Sequence, residues 1–183
     1  MAHDLVGPAQ LTFVRAAMDA SRRNGGKRIA TRVAPQLALN EYSPIAGETV
    51  LLQCRPAVEA LVGQSLIPAY AYWRLYENGA TLRRHVDRSS CEVSVTMPVF
   101  TVPEAEPWPI WVAGLDGVES AVSIRPGAGV VYQGCKVPHW RDAFGGERHY
   151  QLFLHYVLED GDNAAYAFDG RAGLNLRFRD VDG

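Results

Sequence analysis

His85 and Asp87 are separated by one residue, and on extended backbone positions i and i+2 project to the same face. An imidazole and a carboxylate so placed can grip one ion together. His139, arriving from a distant strand, would complete a set of two histidines and one carboxylate. Three protein ligands on one face leave the opposite face open for substrate and oxygen, the arrangement of non-haem iron(II) oxygen chemistry. A lone His-x-Asp recurs by chance in proteins of this length, so the weight falls on its surroundings.

Tyr76-Glu77-Asn78-Gly79 leads to His85-Val86-Asp87 with the spacing Tyr-x-x-Gly-x5-His-x-Asp. Arg125-Pro126-Gly127 introduces the apolar run Val130-Val131-Tyr132, His139 follows within Val137-Pro138-His139-Trp140, and Gly146-Glu147-Arg148-His149-Tyr150 comes next. In this order the features resemble the 2-oxoglutarate- and iron(II)-dependent dioxygenases, in their prolyl-4-hydroxylase-like branch, over roughly residues 66 to 157. The resemblance implies iron(II) held by His85, Asp87 and His139, and 2-oxoglutarate as co-substrate with its far carboxylate on Arg148. It also implies Tyr76 beside that co-substrate, and hydroxylation of a second substrate with release of succinate and CO2. The chain departs from the family pattern at Ala128, where an acidic residue is usual, and at Tyr150, where many members place a small hydroxyl. It departs again at Arg84, which with Arg83 and Arg88 crowds the metal-ligand loop. None of these removes a ligand.

Period-two geometry divides the segment after Arg148. With Arg148 pointing into the barrel, Tyr150, Leu152, Leu154 and Tyr156 do so too, while His149, Gln151, Phe153 and His155 face outward toward the N-terminal helices. A buried arginine suits an anionic co-substrate, because an isolated buried cation is expensive and a guanidinium grips a carboxylate through two parallel hydrogen bonds. Arg141 is the runner-up for that role. The same alternation puts Tyr70, Tyr72, Arg74 and Tyr76 on one face, a core stripe or a binding wall. Arg74, Arg84 and Arg88 are candidate substrate contacts, the loop arginines favouring an anionic substrate. Trp108 and Trp111 read as packing residues under a loop.

The elements that must position these groups follow from the pattern. Pro8 to Arg23 reads as an amphipathic helix with Leu11, Val14 and Met18 at helical spacing and Gly25-Gly26 as a stop. Residues 28–41 are mixed, Ser43-Pro44 marks a loop, and Thr49–Cys54 and Pro56–Val62 read as two short helices. From Leu66 onward strand-like runs alternate with Gly and Pro turns: Ile67–Tyr76, Glu92–Val99, Ile110–Val112, Ser120–Ile124, Gly129–Gln133 and Arg148–Leu158. Leu174, Leu176 and Phe178 alternate as a possible edge strand. The expected architecture is one mainly β domain. It comprises a helical part (1–65) packing on a double-stranded β-helix (jelly-roll) core (66–158), with a C-terminal extension (159–183).

The 183 residues, 48% hydrophobic, suffice for one core and are too few for two ordinary domains. A net charge of -2 gives no global case for nucleic acid or an anionic membrane. Cys54, Cys91 and Cys135 form no Cys-x-x-Cys pair, which fits a reducing compartment rather than a disulfide framework or a zinc knuckle. Met1-Ala2-His3-Asp4 lacks the basic and apolar regions of a signal peptide, and no run is long enough to span a bilayer, so a cytoplasmic protein is expected. No Gly-x-Ser-x-Gly, Walker or dinucleotide fingerprint is present. The expected partners are molecular oxygen and a peptide or small-molecule substrate. The competing class is a cupin-like metal-binding or sensory module without turnover.

Overall fold

The computed structural model describes residues 2–25, 28–36, 38–104 and 108–174. The chain opens with β1 (Ala2–Asp4) and α1 (Pro8–Arg23). Pro8 begins the helix where a missing N–H costs nothing, and Gln10 Oε1 accepts the Gly7 N–H at 3.0 Å. β2 (Arg28–Ile29) and β3 (Ala38–Tyr42) precede α2 (Ile45–Val62). Two short helices were expected where this single helix runs through Pro56. Buried Leu51, Cys54 and Val58 lie on one side of α2 while Pro56 lies on the exposed side, so packing outweighs the local cost of the proline.

The remaining strands are β4 (Leu66–Glu77), β5 (Leu82–His85), β6 (Val93–Val102), β7 (Ile110–Ala113), β8 (Glu119–Val122), β9 (Ala128–Tyr132), β10 (His139–Arg141) and β11 (Arg148–Leu158). Short 3-10 turns occupy Ser89–Cys91 and Ala164–Gly170. Among the described residues the strands form two antiparallel sheets. One has seven strands in the order β1-β9-β6-β11-β4-β3-β2, the other four in the order β5-β10-β7-β8. This is the double-stranded β-helix expected from the sequence. The N-terminal part also gives β1, β2 and β3 to the larger sheet. The possible edge strand through Leu174, Leu176 and Phe178 lies, beyond Leu174, outside the described residues.

The helices cover the outer face of the larger sheet. Val14, Met18, Val50, Leu51, Cys54 and Val58 pack with Trp73 and Leu75 of β4, Met97 of β6, and Tyr150, Leu152, Leu154 and Tyr156 of β11. Tyr156 donates its hydroxyl to Leu51 O at 2.7 Å, and Tyr150 donates to Asp19 Oδ1 at 2.7 Å. The alternation along β11 is therefore as expected, but its faces are reversed. The Tyr-Leu-Leu-Tyr face meets the helices, and His149, Gln151, Phe153 and His155 turn into the barrel. The reason is energetic. Burying a large apolar side chain contributes about 1.5–3 kcal/mol, and only the helix layer offers these four an apolar partner surface. The barrel interior is instead polar, with Gln151 donating to Thr96 Oγ1 at 2.7 Å and His149 paired with both Thr101 and Gln151.

Candidate metal centre and cavity

β5 and β10 are neighbours in the smaller sheet, with His139 directly opposite His85 in the ladder. Their ring centroids lie 4.2 Å apart. Each ring is oriented by a backbone carbonyl: His85 Nδ1 lies 2.7 Å from Arg83 O, and His139 Nδ1 lies 3.0 Å from Val137 O. Both contacts assign the proton to Nδ1 and leave Nε2 as the free donor atom, the orienting arrangement seen at metal-bound histidines. The two Nε2 atoms converge on Asp87 Oδ1, at 3.4 Å from His85 and 3.7 Å from His139.

Asp87 is fixed in turn by its N–H, which donates to Gly134 O at 2.9 Å. Burial alone would raise its carboxyl pKa. The neighbouring His85, His155 and His139 rings outweigh burial, and the net shift is downward. Burial lowers the His139 pKa, Asp87 opposes that and His85 reinforces it, so the imidazole is held in its neutral, ligating form. The donor set thus fits a divalent metal: two imidazole nitrogens and a carboxylate oxygen, all within 4.8 Å of one another.

These groups open into a cavity of about 370 Å³ between the two sheets. Tyr70, Tyr72, Arg74 and Tyr76 of β4, Phe153 and His155 of β11, and Tyr132 of β9 line it together with His85, Asp87 and His139. The β4 stripe is therefore a cavity wall. Tyr76 is 1% exposed and meets Trp108 edge-on at 4.9 Å, and among the described residues its hydroxyl makes no hydrogen bond. Tyr132 brings its hydroxyl to 3.5 Å from His139 Nε2.

Arg148 does not reach this cavity. It is the first residue of β11 on the helix-facing side, its side chain is 35% exposed, and its Nε lies 2.9 Å from Glu147 Oε1. The expectation that it enters the barrel is corrected by the same reversal that turns His149 and His155 inward. His155 was expected against the helices. It stands instead with Asp87 and Cys91, donor atoms within 4.8 Å, and Ser94 Oγ lies 2.9 Å from its Nδ1.

Arg141 and Arg74 are both buried cations near the metal ligands; Arg74 lines the cavity and Arg141 stands behind its wall. Arg141 lies two residues after His139 on the same strand and is 3% exposed, and burial lowers its pKa to about 10. It donates to Trp108 O and, at 3.4 Å, to Gln151 Oε1, with no carboxylate in ion-pairing reach among the described residues. Tyr76 and Tyr132, both in the cavity wall, feel its charge.

The loop arginines are mostly matched. Arg84 lies over the Trp140 ring, pairs with Glu119 and is not among the residues lining the cavity. Arg88 lines the cavity but donates to both oxygens of Asp169, at 2.7 and 2.8 Å. Arg83 donates only to Arg32 O, at 3.4 Å, so among the described residues it is the member of this cluster without a carboxylate partner.

Cys91, Tyr132 and His155 were not anticipated as site residues. His155 was readable from the period-two pattern, once the polar face of β11 is turned inward. Cys91 and Tyr132 reach the site through tertiary contacts that carry no local signal.

No family model matches the chain, and no curated protein resembles it in sequence. Solved structures do resemble it. A Pseudomonas putida prolyl-4-hydroxylase superposes with a TM-score of 0.62 at 22% identity, over 85% of this chain and 90% of that one. HygX from Streptomyces hygroscopicus, solved with nickel, 2-oxoglutarate and hygromycin B, gives 0.66 at 11% identity, over 86% and 81%. A Trichoplax adhaerens prolyl hydroxylase, in complex with a hypoxia inducible factor peptide fragment, gives 0.64 at 12%, over 86% and 82%. The chain has the fold of the 2-oxoglutarate- and iron(II)-dependent oxygenases, prolyl hydroxylases among them. No described helix is long and apolar enough to cross a membrane.

Proposed function

We propose that the protein is an iron(II)- and 2-oxoglutarate-dependent oxygenase that hydroxylates a second substrate. The observation that carries this reading is the pair of histidines whose Nδ1 atoms are taken by backbone carbonyls, leaving both Nε2 atoms aimed at Asp87. His85, Asp87 and His139 would hold the metal. Iron(II) would supply the coupled oxidation: one oxygen atom enters succinate as 2-oxoglutarate loses CO2, and the other becomes the substrate hydroxyl.

The chain's own residues supply binding. Arg141, rather than Arg148, would anchor the far carboxylate of 2-oxoglutarate. Its buried guanidinium has no carboxylate partner, and a dicarboxylate arriving at the metal provides one. Tyr76 offers a hydroxyl to the same ligand. Trp108 packs edge-on against Tyr76 and His149 at that end of the barrel.

Succinate assay tests the proposal. Purified protein with iron(II), ascorbate and 2-oxoglutarate should form succinate, and acid extracts of cells as a substrate source should raise the rate. A protein that binds iron stoichiometrically but forms no succinate under any of these conditions would be a metal-binding module instead.

A further inference from the structure

Four arginines have their guanidinium groups at or behind the inner wall of the larger sheet or its mouth, and they divide into two kinds. Arg171, its side chain 1% exposed, pairs with Glu48 at 2.9 Å, and Arg88 pairs with Asp169. Arg141 and Arg74 have no carboxylate in ion-pairing reach among the described residues. Arg74 is 3% exposed and lines the cavity. It donates to Asn40 Oδ1 at 3.1 Å, Ala34 O at 3.1 Å and Gln36 O at 3.0 Å, all neutral acceptors. Its Nε is buried with no hydrogen-bond partner. A buried cation left without counter-charge, with an orphaned donor, is costly unless an anion joins it.

The co-substrate would bring one carboxylate to share among these two unpaired cations. 2-Oxoglutarate has two carboxylates, one of which would engage the metal together with the keto oxygen. Arg141, on the strand of His139, is the cation assigned above to the other. Arg74 is left over.

We infer that Arg74 receives a carboxylate carried by the second substrate, which is a small organic acid with an apolar body. This rests on the oxygenase reading of the same site. The anion must enter the cavity, because Arg74 is not at the rim. The Tyr76 ring lies 5.1 Å from the guanidinium, and the cavity lining includes further rings and aliphatic groups, Tyr72, Phe153, Val33 and Leu82. The cavity, about 370 Å³, sits at the small end of the range of about 300–1,000 Å³ for ligand sites. It must also admit the co-substrate, which leaves room for a small molecule rather than a length of polypeptide. The three bonds to residues 34–40 hold the guanidinium in place beforehand, so little ordering is needed when the acid binds.

Acid and amide pairs of one shape test the charge directly. Benzoate, 3-phenylpropanoate and hexanoate, each beside its carboxamide, are titrated calorimetrically into protein loaded anaerobically with iron(II) and 2-oxoglutarate. In at least one pair the acid should bind about tenfold or more tightly than the amide, without displacing 2-oxoglutarate. Arg74→Gln should erase that ratio and leave 2-oxoglutarate affinity within about twofold, whereas Arg74→Lys should keep part of it. Because Arg74 also ties down residues 34–40, the thermal unfolding of each variant is recorded, and the wild-type ratios stand as evidence without any variant. Equal binding of acid and amide in all three pairs, or no binding by any of them, overturns the inference. So does an Arg74→Gln protein that loses 2-oxoglutarate instead, which would make Arg74 part of the co-substrate anchor. Failure of wild type to bind 2-oxoglutarate at all would strike the oxygenase reading itself, a distinguishable result.

Discussion

Gly134 lies against Asp87 so closely that a Cβ at this position would stand 2.8 Å from Asp87 Oδ2 and 2.5 Å from Cys91 O. The same residue accepts the Asp87 N–H through its carbonyl. One glycine therefore fixes the backbone of the carboxylate ligand and leaves its side chain room. Gly134→Ala should push the carboxylate off the histidines, since the Cys91 carbonyl cannot yield. An overpacked site of this kind costs about 1–3 kcal/mol, and disturbing the support of a ligand weakens metal about 10–100-fold. Iron titration alongside urea unfolding checks both. Unchanged iron affinity in a folded Gly134→Ala protein would show that Asp87 is not held by this contact.

The ligand set itself makes a simpler prediction. Asp87→Ala and His139→Ala remove groups from a cavity wall rather than from the apolar layer between sheet and helices, so both variants should fold. Each should lose stoichiometric iron after anaerobic reconstitution, measured by elemental analysis after desalting. Full metal content in both variants would mean that the metal sits elsewhere, with Asp87, Cys91 and His155 as the next set to examine.

The metal-proximal part of this architecture was legible because it is local. His85 and Asp87 share a face by backbone geometry, and long alternating runs such as Arg148–Leu158 declare themselves as strands. The bounds of β5 and β10, four and three residues long, do not show in the sequence, because runs so short carry too little periodicity. The facing of β11 was misread for a different reason. Alternation states which residues share a face and is silent on which face meets the helices. Weighing the two faces would have decided it: Tyr150, Leu152, Leu154 and Tyr156 are the more apolar set, and α2 needs an apolar surface to cover. Arg148 shares the parity of Tyr150 and Leu152, so it lies on the helix-facing side with them.

The co-substrate anchor separates Arg141 from Arg148. Removing a guanidinium from a desolvated pair with a carboxylate costs about 3–5 kcal/mol, and each 1.4 kcal/mol or so is tenfold in affinity. Arg141→Gln should thus weaken 2-oxoglutarate at least about a hundredfold with iron content unchanged. Arg148→Gln, altering a partly exposed side chain beside Glu147, should shift it less than about twofold. Anaerobic calorimetry with iron(II) present reads both. The reverse pattern would mean that β11 carries the anchor and that its inward face has been assigned wrongly.

His149 ties stability to pH. Burial and the Arg141 guanidinium push its pKa down to about 3 from an ordinary 6.5, while the hydrogen bond with Gln151 only partly opposes them. Thr101 of β6, Gln151 of β11, Arg141 of β10 and the rings of Trp108, Phe144 and Tyr76 surround it, and Asp4 and Glu104 line the pocket it borders. Among the described residues no carboxylate forms an ion pair with the His149 imidazole. The folded pKa lies below the unfolded one, so the contribution is complete above about pH 6.5 and is lost as pH falls toward about 3. Between pH 8 and pH 5 the loss from this one residue is about 2 kcal/mol. His155, lowered to about 4 chiefly by burial, adds a loss of the same sign. Wild type and His149→Asn should therefore be compared as a difference: urea unfolding at pH 8 and at pH 5 should show the variant losing about 2 kcal/mol less across that interval. The variant will start from a lower stability, since Asn leaves a void beside Trp108, but its slope with pH should be shallower. Identical slopes would mean that the unfolded and folded states hold the same number of protons at His149, and that its imidazole is not kept neutral by the barrel interior.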